Sequence, residues 1–220
     1  MKREIAITAD GSTTIFIPEW NESYHSKHGA IQEAYHVFIK NGFSLFEGKP
    51  ISILEIGFGT GLNAFITLVE ANKSKTKVNY TGVEAFPVLD SELNHLNYIN
   101  QFDKEFQRYF TEIHKTPWEQ EEQITPGFCL TKNQMYFQDI DFENSFDLIY
   151  FDAFGYRVQP ELWSVEIFAK MYKALKANGV LVTYACRTSI KNAMLEVGFG
   201  VEKLPGAPGK REMLRATKRV

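Results

Sequence analysis

The hydrophobic pattern alternates between short continuous runs and stretches of helical period. Residues 3–9 and 13–17 flank Asp10-Gly11, which predicts a β-hairpin with a tight turn. Pro18 to Ser26 is polar and aromatic and reads as loop, and Ala30, Ile31, Ala34, Val37 and Phe38 give 28–40 the spacing of a helix face. After Pro50 the run ISILEI enters a glycine-rich turn, followed by a helix over 61–72 and a strand over 78–84. A helix is predicted over 89–110, a weakly patterned loop over 111–133, and strands over 134–138 and 146–152. Pro160 opens a helix through Leu175 that Asn178-Gly179 closes; strand 180–186, helix 187–197 and strands 199–204 and 211–217 complete the chain.

Strands alternating with helices imply a mostly parallel sheet covered on both faces. The expected fold is therefore α/β and Rossmann-like, with seven strands in the main sheet. One domain spans 1–220, divided into an N-terminal hairpin and helix (1–44) and a core (45–220).

Composition adds limits rather than direction. At 44% hydrophobic and 23% charged the chain can bury a core without covalent staples, and Cys129 and Cys186 are too few for a disulfide scaffold or a cysteine-rich zinc site. No apolar run reaches the roughly 20 residues of a membrane span and no secretory h-region is visible, so a cytoplasmic protein is expected. The net charge of −3 argues against a nucleic-acid coat over the whole chain. Yet Lys203, Lys210, Arg211, Arg215, Lys218 and Arg219 crowd the C-terminal end against the single acid Glu212.

The most informative segment is Leu54-Glu55-Ile56-Gly57-Phe58-Gly59-Thr60-Gly61-Leu62-Asn63. A dinucleotide fingerprint would require glycine where Leu62 stands. An acid two residues before the first glycine suits a cationic ligand better than a pyrophosphate. Gly-x-Gly-x-Gly after an acidic strand end is similar to the S-adenosyl-L-methionine (SAM) site of class I methyltransferases. Glu84 ends the next strand 23 residues past Gly61, the spacing at which an acid accepts hydrogen bonds from ribose hydroxyls. Asp139 follows the predicted strand 134–138, where the class I methyltransferases that this segment resembles place a side chain on the adenine amino group. Asp152 and Phe154 end the strand 146–152 at the edge where ligands bind, as candidates to orient an amine acceptor and pack against the reacting methyl.

Other residues carry weaker readings. His25 and His28 lack further ligands at metal-binding spacing, so no metal is expected. Contact with substrate or cofactor by Tyr24, His28 or Gly29 stands level with plain loop structure. Trp20 and Trp118 are candidates for base stacking, and Trp163 for the core.

These residues resemble the methyltransferase domain of the MnmC family, which completes 5-methylaminomethyl-2-thiouridine at the tRNA wobble position. The resemblance is carried by Tyr24 to Glu33 with His36 to Ile39, Gly57 to Asn63, Val83 to Pro87, Phe151 to Phe154, Gln159 to Trp163 and Gly209-Lys210-Arg211-Glu212-Met213-Leu214. It implies SAM-dependent methylation of an aminomethyl nitrogen on uridine 34, with Gly57, Gly59, Gly61, Asn63 and Glu84 toward SAM, Asp152 and Phe154 facing the acceptor, and Lys210 and Arg211 toward RNA. It also implies that a separate flavin-dependent or other enzyme supplies the aminomethyl group. The family's Phe-Ala-Pro-x-Lys stretch reads here as Phe154-Gly155-Tyr156-Arg157-Val158, leaving Arg157 as the candidate substitute for the lysine. Methyl transfer to a small-molecule or protein amine, and a module that binds SAM or RNA without catalysis, are the rival readings.

Overall fold

A computed structural model describes residues 2–219. The chain opens with strands β1 (Glu4–Ile7), β2 (Thr13–Ile17) and β3 (Glu22–Ser23), which pair antiparallel as a small three-stranded sheet. Asp10 in the β1–β2 turn accepts from the backbone N–H of Ser12 (3.0 Å) and of Gln32 (3.1 Å). The turn residue thereby holds the start of α1 (Ala30–Ala34) against the hairpin. From Tyr35 the predicted helix widens into a π-helical turn that runs to Lys40.

The main sheet is built by β4 (Ile51–Ile56), α2 (Leu62–Ser74), β5 (Val78–Val83), α3 (Asp90–Leu93), α4 (Lys104–Lys115), β6 (Glu121–Thr125), β7 (Phe128–Asn133), β8 (Phe146–Phe151), α5 (Val165–Ala174), β9 (Leu175–Thr183), α6 (Thr188–Val197), β10 (Phe199–Pro205) and β11 (Glu212–Lys218). Its order is β10-β11-β9-β8-β4-β5-β7-β6. The central strands β9, β8, β4, β5 and β7 are parallel, and β6, β11 and β10 close the edges antiparallel. The sheet thus has eight strands rather than seven.

Alternation along β4 divides the core. Ile51 and Ile53 pack into the layer holding α2 and α4, whereas Leu54 and Ile56 pack into the layer holding α5 and α6. From β4 the chain moves to β5 and β7 on one side, then returns through β8 and β9 on the other. The order reverses between β4 and β8, and a crevice opens outside the carboxyl ends of strands at such a point.

Several expected elements differ. The segment 121–133 forms the β6–β7 hairpin, and 134–138 is no strand: Phe137–Asp139 makes a 3-10 turn instead. The helix expected over 89–110 is broken into α3, a 3-10 turn at Tyr98–Gln101 and α4. Asn97 is the cause: its side chain accepts from Thr13 N and donates to Gly11 O, both at 2.8 Å, and these bonds compete with helix continuation. Pro160 opens a 3-10 turn (Pro160–Trp163), and Ser164 caps α5 through the N–H of Ile167. That helix ends at Ala174; Asn178 (φ 61°) and Gly179 lie within β9, where the register against β8 shifts.

Candidate active site

The crevice at the switch point is a cavity of about 340 Å³, within the usual range of small-molecule sites, roughly 300–1,000 Å³. Its floor is the turn after β4. Gly57 has φ +88°, and a Cβ there would lie 2.5 Å from the backbone oxygen of Asp152, so only glycine lets the β4 exit pass this close to the β8 exit. Gly57 and Gly59 wall the cavity, while Gly61 caps α2 behind it in a left-handed conformation. Glu84, past the end of β5, accepts from Gly59 N at 3.0 Å through one carboxylate oxygen and from Phe86 N at 2.9 Å through the other. Each oxygen keeps further acceptor capacity toward the cavity.

Glu55 is fully buried beneath α2 and does not wall the cavity. Its carboxyl accepts from Tyr80 OH and from Asn63 Nδ2, both at 2.9 Å. The second N–H of that same amide reaches Asp152 Oδ2, also at 2.9 Å. Burial pushes the Glu55 carboxyl well above the usual carboxylate range, against the two hydrogen bonds that favour its ionised form. Glu55 is thus a core carboxyl whose charged form burial disfavours, and Asn63 is the bridge from it to the cavity wall. The structure therefore places Glu55, expected to meet a cationic ligand, in the layer of α2 and α4 with Ile51 and Ile53, one side chain back from the cavity wall.

Asp152 lies on the wall with Phe154. Burial, helped by the Glu33 carboxylate, pushes Asp152 up to about 7; the Asn63 amide and Lys210 oppose the shift. The Phe154 ring is met edge-on by Trp20 (5.3 Å) and Tyr24 (5.0 Å). These two rings come from the segment read as loop, and residues 20–28 form one side of the cavity. Arg157 holds that segment down by donating to Trp20 O at 2.7 Å and Asn21 O at 3.3 Å. His25 shares a hydrogen bond with Thr60 Oγ1 at 2.8 Å, and burial pushes it down to about 4, so it is neutral near pH 7.

Lys210 pairs with Glu33, the last residue of the stretch Tyr24 to Glu33, and sits 3.9 Å from the ring centroid of Tyr184, a cavity-facing residue that pattern reading did not single out. Arg211 is exposed outside the main cavity. Asp139 is exposed and does not wall the cavity, whereas Tyr136, Phe137 and Gln138 do. The displaced strand explains this: β7 ends at Asn133, so the residues crossing its carboxyl edge come earlier than Asp139. Trp163 is in the core, donating to Phe154 O at 2.8 Å, and Trp118 packs beside the buried Lys132. Among the described residues no cluster of His, Cys, Asp or Glu has metal-binding geometry, and no helix is long and apolar enough to cross a membrane.

A glycine turn at the β4 exit, an acid past β5 and an acid with an aromatic past β8 surround one cavity in a Rossmann-like methyltransferase fold. The sequence profile of the S-adenosyl-L-methionine-dependent methyltransferases matches residues 98–219, more than half of the chain, and the chain belongs to that family. Within it, the chain is 28% identical over 94% of its length to the tRNA 5-methylaminomethyl-2-thiouridine biosynthesis bifunctional protein MnmC of Polaromonas naphthalenivorans (strain CJ2). It is 27% identical over 97% of its length to the protein of the same name from Campylobacter fetus. It spans about a third of the length of these curated relatives, 34% and 35%. The crystal structure of MNMC2 from Aquifex aeolicus superposes with a TM-score of 0.78 at 25% identity, covering 100% of this chain and 71% of that one. A spermidine synthase from Thermotoga maritima shares the fold, with a TM-score of 0.55 at 14% identity, covering 99% of this chain and 72% of that one.

Proposed function

We propose that this chain methylates the aminomethyl nitrogen of 5-aminomethyl-(2-thio)uridine at wobble position 34 of tRNA, using SAM. The observation that carries the reading is the cavity itself, in which Asp152 and Phe154 share one space with Gly57, Gly59 and Glu84. The choice of acceptor draws on the names of the MnmC relatives. The chain would act as one catalytic unit, with residues from 1–44 completing the pocket of the core. A separate enzyme would supply the aminomethyl group, and the compartment would be the cytoplasm, where tRNA is matured.

The donor set suits SAM: backbone of the glycine turn, a carboxylate with acceptor capacity left for ribose hydroxyls, and the rings of Phe86 and Tyr136, 5.8 Å apart, beside the cavity. Bound there, SAM supplies an activated methyl to a nucleophile with a free lone pair. An alkylammonium has a pKa of roughly 10, so the acceptor arrives mostly protonated. Asp152 accepts hydrogen bonds from that nitrogen, orients it and takes its excess proton. A carboxylate raised to about 7 is far better matched to this task than one of ordinary acidity. The rings of Trp20, Tyr24 and Phe154 keep water from the reacting nitrogen.

Nucleoside mass spectrometry of methyl-deficient tRNA, after incubation with the protein and SAM, tests the reading: uridine 34 should gain one methyl on its aminomethyl group. Unchanged tRNA in a sample that binds SAM by calorimetry would refute the acceptor assignment. Glu84→Ala is expected to weaken SAM binding by about 10- to 100-fold, the loss of hydrogen bonds to a charged acceptor. Calorimetry checks this, and wild-type affinity would remove Glu84 from the donor site.

A further inference from the structure

A second hollow adjoins the first. Tyr156, Arg157, Arg187 and Arg211 stand in its wall, and Tyr184 and Lys210 wall both hollows, so they are neighbours across a single layer of side chains. Four cations therefore face one space in a chain whose net charge is −3. Two are engaged: Arg157 on the carbonyls of Trp20 and Asn21, and Lys210 on Glu33. Arg187 and Arg211 are exposed, and among the described residues neither forms an ion pair. The one acid in the wall, Glu212, is held by Lys203 Nζ at 2.9 Å. The Arg187 guanidinium lies 4.6 Å from the centroid of the Tyr156 ring. A phenol ring paired with a guanidinium is a surface on which unpaired RNA bases stack, and free guanidiniums hold phosphates bidentately. The stretch that carries Tyr156, Gly155 to Val158, is also where this sequence departs from the family pattern Phe-Ala-Pro-x-Lys.

We propose that this hollow seats the nucleotide next to the one being methylated, with Arg187 and Arg211 on its phosphate and the Tyr156–Arg187 pair against its base. This deepens the tRNA reading above and rests on it. Single-stranded RNA fits where duplex does not, because a base splayed from its stack can reach a platform one side chain away from the methylation site.

Filter binding of methyl-deficient tRNA to the full chain, across a salt series, tests the proposal. Arg187→Glu and Arg211→Glu should each weaken binding by about 10-fold or more, and each should make log Kd less steep in log salt by about one. Tyr156→Leu should weaken binding by about 5-fold or more with the salt slope unchanged, as lost stacking does. SAM affinity by calorimetry, equal to wild type in all three, verifies folding, and Arg187→Gln with Arg211→Gln serve as milder replacements should a charge reversal misfold. Variants that bind tRNA with wild-type affinity and slope overturn the proposal while leaving the methylation reading intact. A wild-type protein that binds tRNA through these residues yet methylates none supports the hollow and refutes the acceptor. A wild-type protein that binds no RNA overturns both.

Discussion

Replacing Asp152 with asparagine is expected to lower turnover by about 100- to 10,000-fold, with SAM affinity close to wild type, while making the protein more stable above pH 7. The two effects have one origin. In the native protein Asp152 is held at about 7, by burial first and then by the Glu33 carboxylate, against an ordinary value of 3.8. Between pH 3.8 and about 7 the folded state therefore holds a proton that the unfolded chain has released. Stability falls with rising pH across that window, and above it the full penalty of burying the charge is present. Asparagine removes the charge and keeps an oxygen able to accept from the Asn63 amide. The gain at pH 8 is on the order of 2 kcal/mol, below the full conversion of the shift because the carboxylate partly faces solvent in the cavity.

The same carboxylate sets the pH dependence of the reaction. Only the ionised form can take a proton from the acceptor, so kcat/KM for tRNA should rise with pH through about 7 in the wild type. In Asp152→Asn that inflection should vanish. His25 and His114 do not supply it, since burial pushes each down to about 4 and both are neutral across the range. Urea unfolding at pH 5.5 and 8, alongside a pH–rate profile, measures both effects. Full turnover in Asp152→Asn would remove Asp152 from the acceptor site; a variant no more stable at pH 8 than wild type would mean the carboxyl is not strained by burial.

The parts of this site that were legible in the sequence are those where backbone chemistry leaves few options. The run Ile51–Ile56 ending in Gly57-Phe58-Gly59 reads as a buried strand entering a tight turn, and Phe146–Phe151 ending in Asp152 reads as a second strand that ends at the ligand-binding edge. The β6–β7 hairpin escaped because its outer strand is polar and solvent-facing, Glu121, Glu122 and Gln123 being exposed, as edge strands commonly are. The alternation of buried and half-buried positions from Phe128 to Asn133 was present but masked by Pro126-Gly127, which is the hairpin turn rather than a loop. Missing that strand shifted the assumed carboxyl edge forward and drew attention to Asp139. The burial of Glu55 was illegible for a different reason. A strand buried on both faces gives no sequence cue to which face each side chain takes, so an acid beside a glycine turn looks like a ligand contact even when it points into the helix layer. The N-terminal segment was harder still. Trp20 to His28 has no period, and only long-range contacts, such as the bonds from Arg157, bring it across the crevice.

The buried position of Glu55 leads to the largest expected change in stability. Asn63 joins two carboxyl groups through one amide, its two N–H groups reaching Glu55 Oε1 and Asp152 Oδ2, while its own Oδ1 is buried without a partner. Asn63→Leu fills a similar volume and relieves that lone oxygen, but it strips both carboxyls of a donor. Glu55, whose charged form burial already disfavours, retains Tyr80, so most of the loss falls on Asp152. At pH 8, where Asp152 is ionised, leaving a buried charge without its hydrogen bond should cost about 3 kcal/mol. At pH 5.5 Asp152 is protonated in the folded state, and the cost should fall to about 1 kcal/mol, that of a neutral bond. The deficit relative to wild type therefore grows as pH rises through about 7, in the direction opposite to that of Asp152→Asn, which gains there. In the double variant Asn63→Leu with Asp152→Asn the part that follows the titration near 7 should vanish, since the Asp152 carboxyl that carries it is gone. Denaturant unfolding of the four proteins at the two pH values reads the coupling directly. An Asn63→Leu deficit equal at both would mean that the amide acts through packing, and that the line from Tyr80 through Glu55 and Asn63 to the cavity carries no charge-dependent support for Asp152.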